Sequence, residues 1–272
     1  MDTADLLAEA RALDPDRTLC VMVGAPADRP LLLALVLLNA ELARIPELVS
    51  EPLAGRIRYQ WWLDSLAAAA AGRAAHRVPL LAPLAAAFAG GRLDPAAVEA
   101  LVTAREAELD RLQPENLAAL EAYLAASAGA LHRLMARACD GSPPEVEAAG
   151  DVGIGFALVG LVRALGRERA RGRVPLPADL LAAEGVGVDD ILAGRAADAL
   201  DRMSAGLLER AEALLAQAAV LAPFRRRVLP ALLPARLARR QARRLRRAPA
   251  ALPSRDAWTV PDLLWGRLRR RI

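Results

Sequence analysis

The feature that most restricts this chain is a helical period that runs through nearly all of it and breaks only at Pro and Gly. Apolar residues recur three and four apart in segment after segment, and no run alternates apolar and polar long enough to make a half-buried strand. The predicted helices are 2–12, 29–44, 55–71, 78–88, 95–111, 115–138, 144–165, 188–221, 230–247 and 260–270. Ala, Leu, Arg and Glu favour helix residue by residue, and β-branched residues are sparse. Two starts carry capping chemistry. Asp94-Pro95 sets an acid before a first-turn proline, and Ser142-Pro143-Pro144-Glu145 sets a serine three residues before a glutamate. The expectation is an all-α protein, a single domain over 1–272 with 224–272 forming basic helices.

At 272 residues and 55% hydrophobic, the chain can bury a sizeable core; with 3% aromatics that core is Leu, Ala and Val rather than rings. Lysine is absent and all 36 cationic side chains are arginine, which a GC-rich genome accounts for. The net charge of +4 conceals an asymmetry: 221–272 carries 15 Arg against Asp256 and Asp262, leaving 1–220 at −9. A basic end on an acidic body points to an anionic surface as partner. Cys20, Cys139, His76 and His132 show no metal-ligand spacing, and the cysteines read as reduced core residues. The start carries Asp2, Asp5 and Glu9 where a signal peptide would be basic, and apolar runs such as 152–162 fall short of the ~20 residues of a membrane span. The expected location is cytoplasmic, or peripheral on the inner membrane.

Three stretches carry competing readings. Gly150–Gly155, GDVGIG, has dinucleotide-loop spacing but no preceding strand, so close helix packing is the expectation. In 224–247, leucines 229, 232, 233 and 237 form a stripe beside arginines. It reads as an outer bundle helix or as a helix lying on an anionic membrane; nucleic acid is not expected, because no aromatic platform accompanies it. The third, Val159–Pro177, reads VGLVRALGRERARGRVPLP and crowds arginines around one acid, Glu168. Either the arginines suit a helix C-terminus or they form an anion site.

Leu38–Leu66 with its Arg58-Tyr59-Gln60-Trp61-Trp62 run, Gly153–Val186, and Leu233–Arg247 together resemble the squalene/phytoene synthase family. The resemblance implies a terpenoid-synthase-like bundle around a central cavity. In active members two facing helices each carry Asp-x-x-x-Asp, which holds Mg²⁺ against the diphosphates of two allylic substrates joined head to head. Acids four apart share a helical face, and hard oxygen ligands let Mg²⁺ bridge protein and phosphate.

This chain departs from that pattern. The second motif reads Arg163-Ala164-Leu165-Gly166-Arg167-Glu168, with Ala164 and Glu168 where the aspartates stand. The first reads Ala40-Glu41-Leu42-Ala43-Arg44, leaving Glu41 inside and Arg44 at one end. The resemblance then implies Arg169, Arg171 and Arg173 as diphosphate contacts and Tyr59, Gln60, Trp61 and Trp62 as cavity-lining candidates. Glu41 and Glu168 would be the metal ligands if Mg²⁺ binds. It is strongest to a branch with degraded motifs that includes a mitochondrial complex I assembly factor. The leading expectation is a non-catalytic or altered relative that binds an isoprenoid diphosphate or a protein partner at a membrane surface, in respiratory complex assembly for one. The alternative is an active Mg²⁺-dependent prenyltransferase.

Overall fold

The computed structural model describes residues 3–73, 78–110, 113–247 and 259–272, and every regular element among them is helical. His76 lies outside these residues. The first half holds α1 (Thr3–Leu13), α2 (Pro15–Val23), α3 (Arg29–Leu48), α4 (Pro52–Ala70), α5 (Leu81–Ala89) and α6 (Pro95–Glu106). Next come α7 (Leu117–Leu124) and α8 (Ala130–Ala138), joined by a π turn at Ala125–Gly129, and then α9 (Pro143–Ala170). The rest is α10 (Ala178–Ala183), α11 (Val188–Leu192), α12 (Ala197–Ala219), α13 (Leu229–Leu232), α14 (Pro234–Arg247) and α15 (Thr259–Arg269).

Two helices organise the bundle. Leu31 through Leu38 of α3 are buried all round, with α1, α2, α4, α5 and α8 packed about them. A helix apolar on every side has to sit in the interior. The second organiser, α9, is enclosed by α8, α12 and α14. Because α8 packs on both, it spaces α3 from α9. The GDVGIG stretch lies inside α9, and its glycines are there for contact. A Cβ on Gly153 would stand 2.5 Å from the carbonyl oxygen of Ala128, and one on Gly155 would stand 3.0 Å from Leu215. Only a missing side chain lets the π turn and α12 come that close. By length and composition α9 is also apolar enough to cross a bilayer, so the shortness of the apolar runs understated it; yet 67% of its apolar window is buried in the bundle.

Most helix boundaries shift only modestly from expectation. The predicted 188–221 is interrupted at Gly194, whose φ of +74° ends α11 before α12 begins. The short α10 is not expected, and neither is α2. Helix α2 is capped by Asp14, whose side chain accepts the Arg17 N–H, and it opens on Pro15. Neither cysteine forms a disulfide, and both are buried.

The membrane reading of 224–247 is corrected by burial. Leu229, Leu232, Leu233 and Leu237 are all in the core, and Pro234, Ala235, Ala238, Ala242 and Leu245 continue the same face against α9 and α12. Arg239 donates to the carbonyls of Leu215 (2.8 Å) and Ile272 (2.7 Å), closing the end of α12 onto the end of the chain. The apolar stripe belongs to the bundle, so α14 has none to offer a bilayer.

Candidate functional site

The remnants of the two motifs sit at the C-terminal ends of α3 and α9, and these ends meet. Glu41 accepts from Arg44 at 3.0 Å on the outer part of α3, while Ala40 is buried beside it. One turn on, Glu47 accepts from Arg171 at 2.6 Å. Arg171 also lies 3.8 Å from Glu168, and Glu168 binds Arg173 at 2.6 Å. A chain of alternating charges therefore joins the two helix ends, with Arg171 between two carboxylates. Arg169 turns the other way, with its guanidinium beside Gly194.

This arrangement does not suit a divalent cation. Each remaining acid faces a guanidinium, and among the described residues no three His, Cys, Asp or Glu side chains gather as a metal site requires. The Mg²⁺ that the resemblance implies finds no donor set here.

The aromatic run is divided by the helix that carries it. Tyr59 is fully buried and donates to the Leu42 carbonyl at 3.0 Å, tying α4 to α3 next to the first motif. Burial raises its pKa. Trp62 is buried and meets the ring of Trp61 edge-on, while Trp61 is half exposed. Gln60 is exposed, bonds Asp64 at 2.8 Å and faces a surface groove between α4 and α6. Asp64 thus stays away from the motif acids, whereas Glu47 comes near them only through Arg171.

A half-open cleft of ≈ 490 Å³ lies instead between α2, α9 and α14, with Thr259 of α15 at its edge. Its α9 wall is the stripe Phe156, Arg163, Arg167, spaced seven and four residues apart on one helical face. From α14 come Arg240, Arg244 and Gln241, and from α2 Asp16 and Arg17. Among the described residues its lining holds five arginines against two aspartates, Asp14 and Asp16.

Those two acids are engaged by the wall itself. Asp16 accepts from Arg163 (3.1 Å) and from Gln241 (3.0 Å), linking all three helices. Asp14 caps α2 and holds Arg17 at 2.7 Å. Arg17 also donates through Nε to His132 Nε2 at 3.0 Å, and its guanidinium lies 4.6 Å from the centre of the Phe156 ring. Because Nε2 accepts, Nδ1 of His132 carries the proton and donates to the Ala231 carbonyl at 2.8 Å. Burial, reinforced by the Arg17 charge, drives the imidazole pKa down to about 3. His132 is thus a neutral relay that fixes Arg17 at the cavity floor.

Sequence reasoning found Arg163 but missed the cavity. Arg167 was read only as part of a damaged motif, and Arg240 and Arg244 only as part of a basic tail. The available signal was the Asp-Pro pair at 14–15, the same capping signature read at 94–95, which marks the helix supplying the third wall.

A sequence profile described as squalene/phytoene synthase matches residues 10–263. Phytoene synthase of Thermus thermophilus is 36% identical over 119 residues, a match covering 43% of this chain and 41% of that protein. Among solved structures, the squalene synthase HpnC from Alicyclobacillus acidocaldarius superposes with a TM-score of 0.78 at 19% identity, over 90% of this chain and 93% of that one. A dehydrosqualene synthase, solved in complex with ligand, gives 0.79 at 17% identity over 98% and 95%.

Proposed function

The chain belongs to the squalene/phytoene synthase family, and from that premise we propose that it is a binding member, which takes an isoprenoid diphosphate on arginine rather than on Mg²⁺ and does not join two of them. The observation that supports this most is the charge of the cavity between α2, α9 and α14: among the described residues, five guanidinium groups against two carboxylates that already serve the wall. Planar guanidinium forks match phosphate oxygens and remain charged at any physiological pH, so a diphosphate can be held there with no metal. Phe156, Leu13 and Leu237 give the same space an apolar side for the start of a prenyl chain. A volume near 490 Å³ falls in the range of small-molecule sites.

Condensation asks for more than binding. A diphosphate must be pulled away while a carbocation forms, and in active members of the family paired aspartates do this through Mg²⁺. Here Glu41 and Glu168 are neutralised by Arg44 and Arg173. Arg171 and Arg173, held by Glu47 and Glu168, form the other anion contact this reading admits, at the mouth where α3 and α9 meet.

The test is calorimetric titration with farnesyl diphosphate in EDTA and in Mg²⁺. Binding should survive EDTA, weaken about tenfold or more in Arg163→Gln/Arg240→Gln, and change little in Arg171→Gln/Arg173→Gln. The reverse order would move the ligand to the mouth. A C30 or C40 product formed faster than in a heat-killed control would establish the prenyltransferase instead.

A further inference from the structure

We propose that the outer face of α15 is a seat for an anionic lipid surface. The helix is fixed to the body on one side only. Leu263 is fully buried, Asp262 pairs with Arg236, and Gly266 lies so close to α14 that a Cβ would be 2.6 Å from Arg236 Cδ. At its end, the Phe224 N–H donates to the Arg270 carbonyl at 2.9 Å.

The opposite side is apolar and, among the described residues, has no cover. Val260, Leu264, Trp265 and Leu268 follow one another four, one and three residues apart, on one helical face, and are 47%, 49%, 51% and 62% exposed. Scattered exposed leucines need no explanation, but four large apolar side chains on one helical face do. Tryptophan in particular favours the boundary between headgroups and acyl chains. The turn that is tied to the end of α15 through Phe224 adds Val220 and Leu221, 80% and 45% exposed.

Charge identifies the occupant. Arg267, Arg269, Arg270 and Arg271 are all exposed around this face, and the Arg269 guanidinium lies 4.6 Å from the centre of the Trp265 ring. The acid of this helix, Asp262, is committed inward to Arg236. A face of Trp, Leu and Val bordered by arginine matches the interface of a bilayer with anionic headgroups. The −9 carried by residues 1–220 is repelled by that surface, so the charge asymmetry also sets which side of the molecule docks. Thr259, at the start of α15, edges the arginine-lined cavity, which places the cavity beside the docked face. Docking depends on α15 and does not require a ligand in the cavity.

The experiment is co-sedimentation of the full chain with vesicles of phosphatidylcholine alone or mixed with phosphatidylglycerol, at low and high salt. Wild type should bind the mixed vesicles and release in high salt. Leu264→Ser/Trp265→Ser/Leu268→Ser should weaken binding by about tenfold or more. Arg267→Gln/Arg269→Gln/Arg270→Gln should erase the preference for phosphatidylglycerol. A variant in a second exposed apolar stripe, Leu53→Ser/Ile57→Ser/Trp61→Ser on α4, should bind as wild type does. In the unaltered fold, bromine-labelled lipid should quench tryptophan emission, and Trp265→Phe should remove most of that quenching. The proposal is overturned if wild type ignores mixed vesicles, if the α4 variant loses as much as the α15 variant, or if quenching survives Trp265→Phe. It is equally overturned if wild type is a dimer that the α15 variant splits, since the face would then seat a second copy.

Discussion

Arg171, just past the end of α9, donates to the carboxylate of Glu47, near the end of α3, at 2.6 Å. The two helices that carry the motif remnants are thus joined by an ion pair three residues beyond each motif. With Glu168 also 3.8 Å from Arg171, the guanidinium lies between the two carboxylates. An arginine in this place offsets the charge of both acids, and its pair with Glu47, 41% exposed on each side, is a solvated surface bridge.

The first prediction restores the acids. Ala40→Asp, Arg44→Asp and Ala164→Asp together put carboxylates four apart on α3 and return one to α9, while Arg44→Asp also releases Glu41 from its partner. The variant should take up Mg²⁺ with diphosphate where the parent does not. Turnover should stay absent, because Arg171 still occupies the space between the helix ends and catalysis requires placement within ~0.5 Å. Calorimetry and product extraction read the two effects separately.

A second prediction concerns Asp28, which precedes α3 and is almost fully buried. It accepts from Arg227 Nε and NH2, both at 2.8 Å, and from Arg92 at 2.7 Å, tying three distant segments together. The Arg227 hydrogen bonds, opposed by burial and aided by the charges of Arg227 and Arg92, hold its carboxyl below the usual range. Breaking a fully buried pair costs about 3–5 kcal/mol; both arginines here are partly exposed and rehydrate, so Asp28→Ala should cost about 2–3 kcal/mol in urea unfolding. A loss under about 0.5 kcal/mol would reduce the cluster to a surface ion pair.

The bundle was legible in the sequence because helix period and Pro/Gly punctuation are local signals, and local signals placed α1, α3, α4, α5, α6 and α9 to within a few residues, while α11 and α12 were merged. What lay outside them depended on tertiary partners. The stripe of 229–237 looks the same whether its leucines face lipid or α9; only the packing of α13 and α14 decides. The Arg163 to Arg173 cluster could be read as a set, but not divided. Arg163 and Arg167, four apart on one face of α9, face α14, while Arg171 and Arg173 lie past the end of the helix at Ala170 and meet Glu47 and Glu168 there. The outer face of α15 is not legible either, because only packing on α14 decides that Leu263 is covered while Leu264 and Leu268 are exposed.

A third prediction compares two glycines of α9. Gly153 has no room: a Cβ would meet the Ala128 carbonyl oxygen at 2.5 Å and Gly129 Cα at 2.9 Å, both backbone atoms that cannot swing aside. Gly153→Ala should destabilise by about 1–3 kcal/mol. Gly160, two turns on, has nothing within 4 Å of its added Cβ. Gly160→Ala should be neutral or stabilise by up to about 1 kcal/mol through helix propensity. Melting temperatures should move in opposite directions, by about 2–4 °C per kcal/mol for a chain of this size. A shared direction would mean that the tight crossing of α9 over the π turn is not what Gly153 serves.

The last prediction is a pH dependence with a defined sign. Burial, and then the charge of Arg17, lowers the pKa of His132 from 6.5 to about 3. Between those values the unfolded chain binds a proton that the folded chain refuses, so stability is fully present above pH 6.5 and falls as the medium is acidified toward about 3. Glu145 acts in the same direction but lower. Burial opposes its ionisation, yet hydrogen bonds from Arg225 and Ser142 prevail and hold its pKa at about 2, from 4.5. From 6.5 to about 5, above the Glu145 range, the imidazole proton changes stability by up to about 1.4 kcal/mol per pH unit, while the Asp151 carboxyl, raised by burial, works in the opposite sense as the pH falls. Urea unfolding across that interval should show this slope in the wild type. His132→Gln, which lacks the titrating group, should be less stable near neutrality but should lose most of the slope. A slope that persists undiminished in His132→Gln would assign the acid sensitivity to another group and leave the neutral Arg17–His132–Ala231 relay without support.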